Sequence, residues 1–170
     1  MQKIAKFSKV TQQQFAKDYT DTFGCDEVVA NQVYQQIKLP QRATTGSAGY
    51  DFFSTAQITL KAGEGAKIPT GIRAEIADGW LLAVFPRSGL GFKYRLQLDN
   101  TVGIIDSDYF YSDNQGHIFV KITNDSKQDK TVSIEQGTAF AQGIFLPFGI
   151  TVDDDVTATR NGGFGSTDKK

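Results

Sequence analysis

The chain has 170 residues, 39% of them hydrophobic and 22% charged, which suits one globular domain large enough for a real core. A formal net charge of -1 argues against non-specific nucleic-acid binding, which needs clustered excess cation, and against a polybasic membrane surface. The single Cys25 excludes an intrachain disulfide, and no Cys/His spacing matches a zinc site.

No secretory leader pattern opens the chain and no long apolar span crosses it, so cytoplasmic residence is the expectation. Residues 11–19 (TQQQFAKDY) place Phe15 and Tyr19 at i and i+4 behind Thr11, which can cap a short amphipathic helix. Residues 28–36 read as a second helical turn or a linker, and Pro40 then breaks the pattern. Residues 1–36 are therefore expected as a partly helical N-terminal appendage, residues 37–152 as the core and residues 153–170 as a C-terminal strap.

After Pro40 the signals turn to strands. Residues 49–53 and 57–60 are short and rich in aromatic or β-branched side chains, with a turn at Gly63 and Gly65. Ile72, Ala74 and Ile76 alternate with polar residues up to a tight turn at Asp78-Gly79. Residues 80–85 form a continuous apolar run, consistent with a strand buried on both faces. Ile118, Val120 and Ile122 alternate, as do Val132 and Ile134, and Gly137 precedes another apolar strand reaching Leu146. Many short strands at regular spacing predict an all-β sandwich or barrel. His117, alone of its kind, reads as a surface or packing residue in one of these strands.

Five segments carry candidate chemistry. Pro86-Arg87-Ser88-Gly89 follows the buried run and offers a cation, a hydroxyl and backbone N–H groups, which suits a phosphate chain or a plain polar loop. In residues 99–109 (DNTVGIIDSDY), an extended course over Gly103 to Ile105 predicts Asp106 and Asp108 on one face and Ser107 on the other. A carboxylate there can serve as a general base or hold a divalent cation; Asn100 can read a base edge and Tyr109 can stack on a sugar or base. Asp51 follows Gly49-Tyr50, and Gln142 sits within an apolar strand, either as a structural hydrogen-bonder or as a ligand contact. Residues 160–167 (RNGGFGST) have the make-up of a strap over an anionic ligand or of a plain glycine-rich terminus.

Taken in order, Ala48-Gly49-Tyr50-Asp51, Pro86-Arg87-Ser88-Gly89, residues 100–109, residues 137–142 and residues 160–167 resemble the five motifs of the homotrimeric dUTPases (deoxyuridine triphosphate nucleotidohydrolases). The resemblance covers the chain from about Lys38 onward. It implies a jelly-roll-like distorted β-barrel, a homotrimer with shared active sites, and Mg²⁺-dependent hydrolysis of dUTP to dUMP and pyrophosphate. That reaction limits uracil in DNA and supplies dUMP for dTMP synthesis.

Motif by motif, the resemblance makes Asp106 the general base that activates water for attack on the α-phosphorus. Tyr109 packs under the deoxyribose, and Asn100 with the backbone of Gly103, Ile104 and Ile105 reads uracil. Phe119 closes that pocket. Arg87, Ser88, Gly89 and Gln142 bind phosphates; Arg160 grips the γ-phosphate; Phe164 covers uracil; and Gly165 and Ser166 wrap the phosphates. Asp51 holds a Mg²⁺-bound water.

The chain departs from the family pattern in two places. Ala139 stands where the fourth motif usually has Arg, with Lys93 or Arg95 as candidate replacements. Residues 110–115 lengthen a hairpin tip that can change the pocket rim or bind a partner. A dCTP deaminase of related fold is the alternative enzyme. A binding module that controls a regulatory protein partner through the added segments is the alternative class.

Overall fold

The structure is a computed structural model that describes residues 2–158 and Arg160. Strand β1 (Ala5–Lys9) leads into helices α1 (Gln12–Phe23) and α2 (Glu27–Gln36). Strands β2 (Gln41–Arg42), β3 (Tyr50–Phe53), β4 (Ile58–Leu60), β5 (Gly65–Pro69), β6 (Ile72–Ile76) and β7 (Trp80–Pro86) follow. Then come helix α3 (Ser88–Tyr94), strands β8 (Leu96–Leu98) and β9 (Gly103–Ile105), and a 3₁₀ helix over Ser107–Tyr111. Strands β10 (Phe119–Asn124), β11 (Val132–Ile134) and β12 (Ala139–Pro147) complete the fold.

The pairing is nested and antiparallel: β3 with β12, β4 with β11, β5 with β10. This is the order of a long ribbon folded on itself, which is how a jelly roll covers its own core. The strands fall into four sheets, β1-β6, β5-β10-β8, β11-β4 and β2-β3-β12-β7-β9, rather than one closed barrel. In the five-stranded sheet β7 lies between β12 and β9, and Leu82, Ala83 and Val84 are all buried. The apolar run of β7 follows from that position, because both faces are covered at its centre while its two ends are partly exposed.

Residues 1–36 contribute to the same core. Thr11 Oγ1 accepts the Gln14 N–H at 3.2 Å and caps α1, while Gly24, at φ 65°, closes its other end. The inward face of α1 buries Phe15, Ala16 and Tyr19, and α2 adds Ala30 and Val33. Strand β1 pairs along β6 from Ala5↔Ile76 to Lys9↔Ile72. Among the described residues, no helix is long and apolar enough to cross a membrane.

Candidate active site

The short loop between β8 and β9 starts the site. Thr101 adopts φ 67° and its N–H reaches the Leu98 carbonyl at 2.9 Å, so the chain reverses tightly and presents Asn100. Gly103 lets β9 lie close on β7, since a Cβ there would stand 3.3 Å from Val84 Cβ. The result is a cleft of about 370 Å³ walled by Val84, Leu98, Gly103, Ile105 and Phe119, with Asn100 and the charged Lys67, Asp99 and Lys121 as polar side chains around it. An apolar slot with a few placed polar groups is the usual form of a small-molecule site. Ile104 points away from the core and is exposed, whereas Ile105 is buried. At the rim, Lys121 lies 2.8 Å from Asp99 and Thr123 donates to it at 2.6 Å, and both hold the Asp99 carboxyl below its usual range.

Asp106 follows Ile105 directly. The predicted alternation of Asp106 and Asp108 does not occur, because the strand ends at Ile105 and the chain winds into the 3₁₀ helix. The two carboxylates are nevertheless drawn together from outside. Arg160 Nη2 donates to Asp106 Oδ2 at 2.7 Å, and Arg160 Nε lies 3.0 Å from Asp108 Oδ1. The guanidinium carbon is 5.8 Å from the centre of the Tyr109 ring. Tyr109 itself is buried; its hydroxyl donates to the His117 carbonyl at 2.7 Å and accepts from Asn114 Nδ2 at 2.9 Å. Burial above all pushes the Tyr109 phenol up.

A second group of candidates gathers elsewhere. Asp51 and Gln142 sit opposite each other on β3 and β12, and Gln142 Nε2 donates to the Pro86 carbonyl at 3.2 Å. Arg87 Nε lies 3.2 Å from Asp51 Oδ1. Gly49 leaves room for the amide beside them: a Cβ there would stand 2.7 Å from Gln142 Oε1. Ser88 and Gly89 are exposed in the first turn of α3, so this segment is a short helix rather than the plain polar loop that was the alternative. Because Leu82 pairs with Ile105, Asp106 comes level with Leu81 near the start of β7, while Arg87 follows the strand's other end. At strand rise the two are roughly 17 Å or more apart along one chain.

Some expectations shift. Arg95, a candidate replacement for the cation missing at Ala139, is engaged by Asp125 through Nε at 3.2 Å and Nη2 at 3.1 Å. Lys38 is the cation found near that position: its Nζ is 3.4 Å from the Gly137 carbonyl and 5.5 Å from the ring of Phe53, the cross-strand partner of Ala139. Residues 110–115 are not the tip of a hairpin, because β9 and β10 do not pair with each other. They fold back, with Gln115 bonded both ways to Thr11 at 2.9 and 3.1 Å. His117 is wholly buried, with Asp18 at 2.5 Å from Nδ1, a pairing across 99 residues that no local pattern signals. Arg73 pins the 3₁₀ helix by donating to the Phe110 carbonyl at 2.7 Å while stacking on the Phe110 ring. Phe164, Gly165 and Ser166 lie outside the described residues.

An all-β chain with an apolar cleft beside a carboxylate pair, and with further cationic and amide groups on a separate face, has the make-up of a small-molecule enzyme with polar chemistry at the cleft mouth. Comparison with known proteins names the family. The dUTPase family model matches residues 35–168. The deoxyuridine 5'-triphosphate nucleotidohydrolase of Haemophilus ducreyi is 43% identical over 152 residues, which are 85% of this chain and 95% of that protein. The crystal structure of dUTPase from Streptococcus mutans, 34% identical, superposes with a TM-score of 0.62 over 85% of this chain and 97% of that one. A dUTPase from phage phi11 of S. aureus shares the fold at 19% identity and a TM-score of 0.63, and coordinates a structural Mg(II) ion. The chain belongs to the dUTPase family, whose reaction is hydrolysis of dUTP to dUMP and pyrophosphate.

Proposed function

We propose that this chain hydrolyses dUTP in the cleft lined by Asn100, Gly103, Ile105 and Phe119, with Asp106 as the general base. The observation that carries this reading is the adjacency of the cleft to that carboxylate: Ile105 walls the cleft, and the next residue is Asp106. Asn100 and the backbone of Gly103, Ile104 and Ile105 present fixed donors and acceptors to the uracil edge. Cytosine, with a donor where uracil has an acceptor, leaves such groups unpaired and is rejected strongly. A C5 methyl group meets the tight β8–β9 turn. Tyr109 forms the floor under the deoxyribose.

Asp106 orients a water and takes its proton as the oxygen attacks the α-phosphorus. The bond from the α-phosphorus to the bridging oxygen breaks, and pyrophosphate leaves with the electron pair. Arg160 draws the γ-phosphate, and Phe164, Gly165 and Ser166 close over the nucleotide, expelling water. Arg87, Ser88, Gly89 and Gln142 supply the remaining phosphate contacts.

The cluster at Asp51 fits Mg²⁺ held through water. Among the described residues no group of three or more ligating side chains converges, and Mg²⁺ commonly binds one carboxylate, waters and substrate phosphates. When bound, the ion neutralises phosphate charge and favours departure of pyrophosphate.

The assembly is a homotrimer in which several subunits complete each site. The separation of Arg87 from Asp106 along one chain supports this, since both are assigned to one triphosphate. The tail after β12 also supports it: Phe148, Ile150, Val152 and Val156 are exposed along a segment that makes one turn, with the Asp154 N–H donating to the Thr151 carbonyl at 3.2 Å. A groove of about 770 Å³ floored by Tyr50, Trp80, Ile144 and Phe145 offers apolar surface of the kind such a tail covers.

The test is pyrophosphate release from dUTP, dCTP, dTTP and UTP with Mg²⁺, comparing wild type with Asp106→Asn. Release from dUTP alone, lost in the variant, is the expected result. Ammonia release from dCTP would instead identify a deaminase, and a folded trimer inert toward all four nucleotides would favour a binding module.

A further inference from the structure

The N-terminal helix reaches the sugar-binding floor through a chain of buried polar contacts. Asp18, on the inward side of α1, has its Oδ2 2.5 Å from His117 Nδ1 and 2.9 Å from Gln14 Nε2. The His117 ring is wholly buried, with the Phe119 ring at 4.5 Å and the Phe15 ring at 6.0 Å. Its Nε2 accepts the backbone N–H of Gly71 at 2.8 Å, so the ring proton resides on Nδ1 and is donated to Asp18. Both nitrogens are thus committed, and the imidazole has one orientation.

The backbone of His117 carries that orientation onward. Its carbonyl accepts the Tyr109 hydroxyl at 2.7 Å and the Asn114 amide at 3.3 Å, and the same amide donates to the Tyr109 hydroxyl at 2.9 Å. The intervening loop leaves little slack. Gly116 takes φ 72°, and a Cβ on it would stand 2.8 Å from Phe110 Cα. Phe119, two residues on, has His117 against its ring and walls the cleft.

We infer that Asp18 and His117 are positioning residues that hold Tyr109 at the height needed to exclude a ribose 2′-hydroxyl. The inference rests on the reading of Tyr109 as the floor under the deoxyribose. Steric rejection of one oxygen atom requires the wall to stay within about 0.5 Å of its place. Without the Asp18 carboxylate, the Nδ1 proton loses its acceptor in a site that water does not enter freely. The other tautomer is no remedy, because it turns a ring N–H against the Gly71 N–H. With the ring no longer anchored at Nδ1, the His117 backbone is held less firmly, and the carbonyl that positions the tyrosine gains freedom. A more mobile floor admits UTP while dUTP, which makes no contact through a 2′-hydroxyl, still binds.

The experiment measures kcat/KM for dUTP and for UTP in wild type, Asp18→Ala, Asp18→Asn and Tyr109→Ala, with thermal unfolding of each. Asp18→Ala is expected to keep kcat for dUTP within about threefold and to lower the dUTP-over-UTP ratio about tenfold, a loss of steric discrimination rather than of catalytic power. Asp18→Asn, whose amide oxygen still accepts from Nδ1–H, is expected to retain most of the ratio. A general loss of stability moves Tm and both substrates together and leaves the ratio alone. If alanine lowers the folding yield, Asp18→Ser, too short to reach Nδ1, is the milder break and should show the same fall. An unchanged ratio in the folded Asp18 variant, with the ratio collapsed in Tyr109→Ala, overturns the inference alone. An unchanged ratio in Tyr109→Ala removes the sugar-floor reading and the inference with it.

Discussion

Arg160 sits on Asp106, its Nη2 2.7 Å from the carboxylate Oδ2, although 54 residues separate them in sequence. In this arrangement the proposed base is neutralised by the residue assigned to the γ-phosphate. A bound triphosphate offers the guanidinium stronger acceptors than one carboxylate does, and so draws it off the base. Arg160→Ala is expected to reduce kcat/KM for dUTP about 10²-fold or more, as loss of a transition-state cation does. Arg160→Lys, which keeps the charge but not the planar fork, should recover only part of the loss. Pyrophosphate release read at several dUTP concentrations separates the effects on kcat and KM, and full activity in the alanine variant would remove Arg160 from the mechanism.

Gly49→Ala tests the second cluster without touching a ligand-binding side chain. The added Cβ meets Gln142 Oε1 at 2.7 Å, and the obstacle is the far end of a flexible side chain. The amide should swing away at little cost to folding, so Tm stays within about 2 °C while KM for dUTP rises several-fold. A fall in Tm with unchanged KM would assign Gln142 a purely structural role.

Phe15→Ala measures how firmly residues 1–36 belong to the core. The ring is fully buried against Tyr19, Tyr34 and His117. Removing it should cost about 3–5 kcal/mol, read as a lower urea midpoint. A loss under about 1 kcal/mol would mean that the N-terminal helices rest loosely on the sheet.

Acid should act through Asp18. Burial pushes this carboxyl up, but the hydrogen bonds from His117 and Gln14, with Lys17 nearby, more than offset burial and leave its pKa below the ordinary 3.8. A carboxyl depressed in the folded state is less protonated there than in the unfolded chain, so it stabilises the fold above the unfolded value and loses that contribution as pH falls through the folded one. The stability difference between wild type and Asp18→Asn should be level from pH 7 to about 5 and close below about 4. Denaturation at a series of pH values reads it directly, and a difference that widens in acid would contradict the assignment.

Much of the architecture was legible. Thr11 ahead of Phe15 and Tyr19 marked the capped helix, and the apolar run of residues 80–85 marked the buried strand. The fold of residues 110–115 is not legible locally, because the contact that turns them back joins Gln115 to Thr11 across 104 residues. The alternation of Asp106 and Asp108 failed because β9 ends at Ile105, three residues short of Asp108, and the chain turns helical from Ser107.

The sequence by itself determined the family, the capped first helix, several of the strands and the kinds of donor available to a nucleotide, since periodicity, turn residues and short motifs are local properties of the chain. Only the tertiary structure decided which groups share a space. Strand register sends Asp106 and Arg87 to opposite ends of β7, and the packing of α1 brings Asp18 to His117. Such contacts depend on how many weak pairings along the whole chain settle into one arrangement, and no short window of residues carries that information.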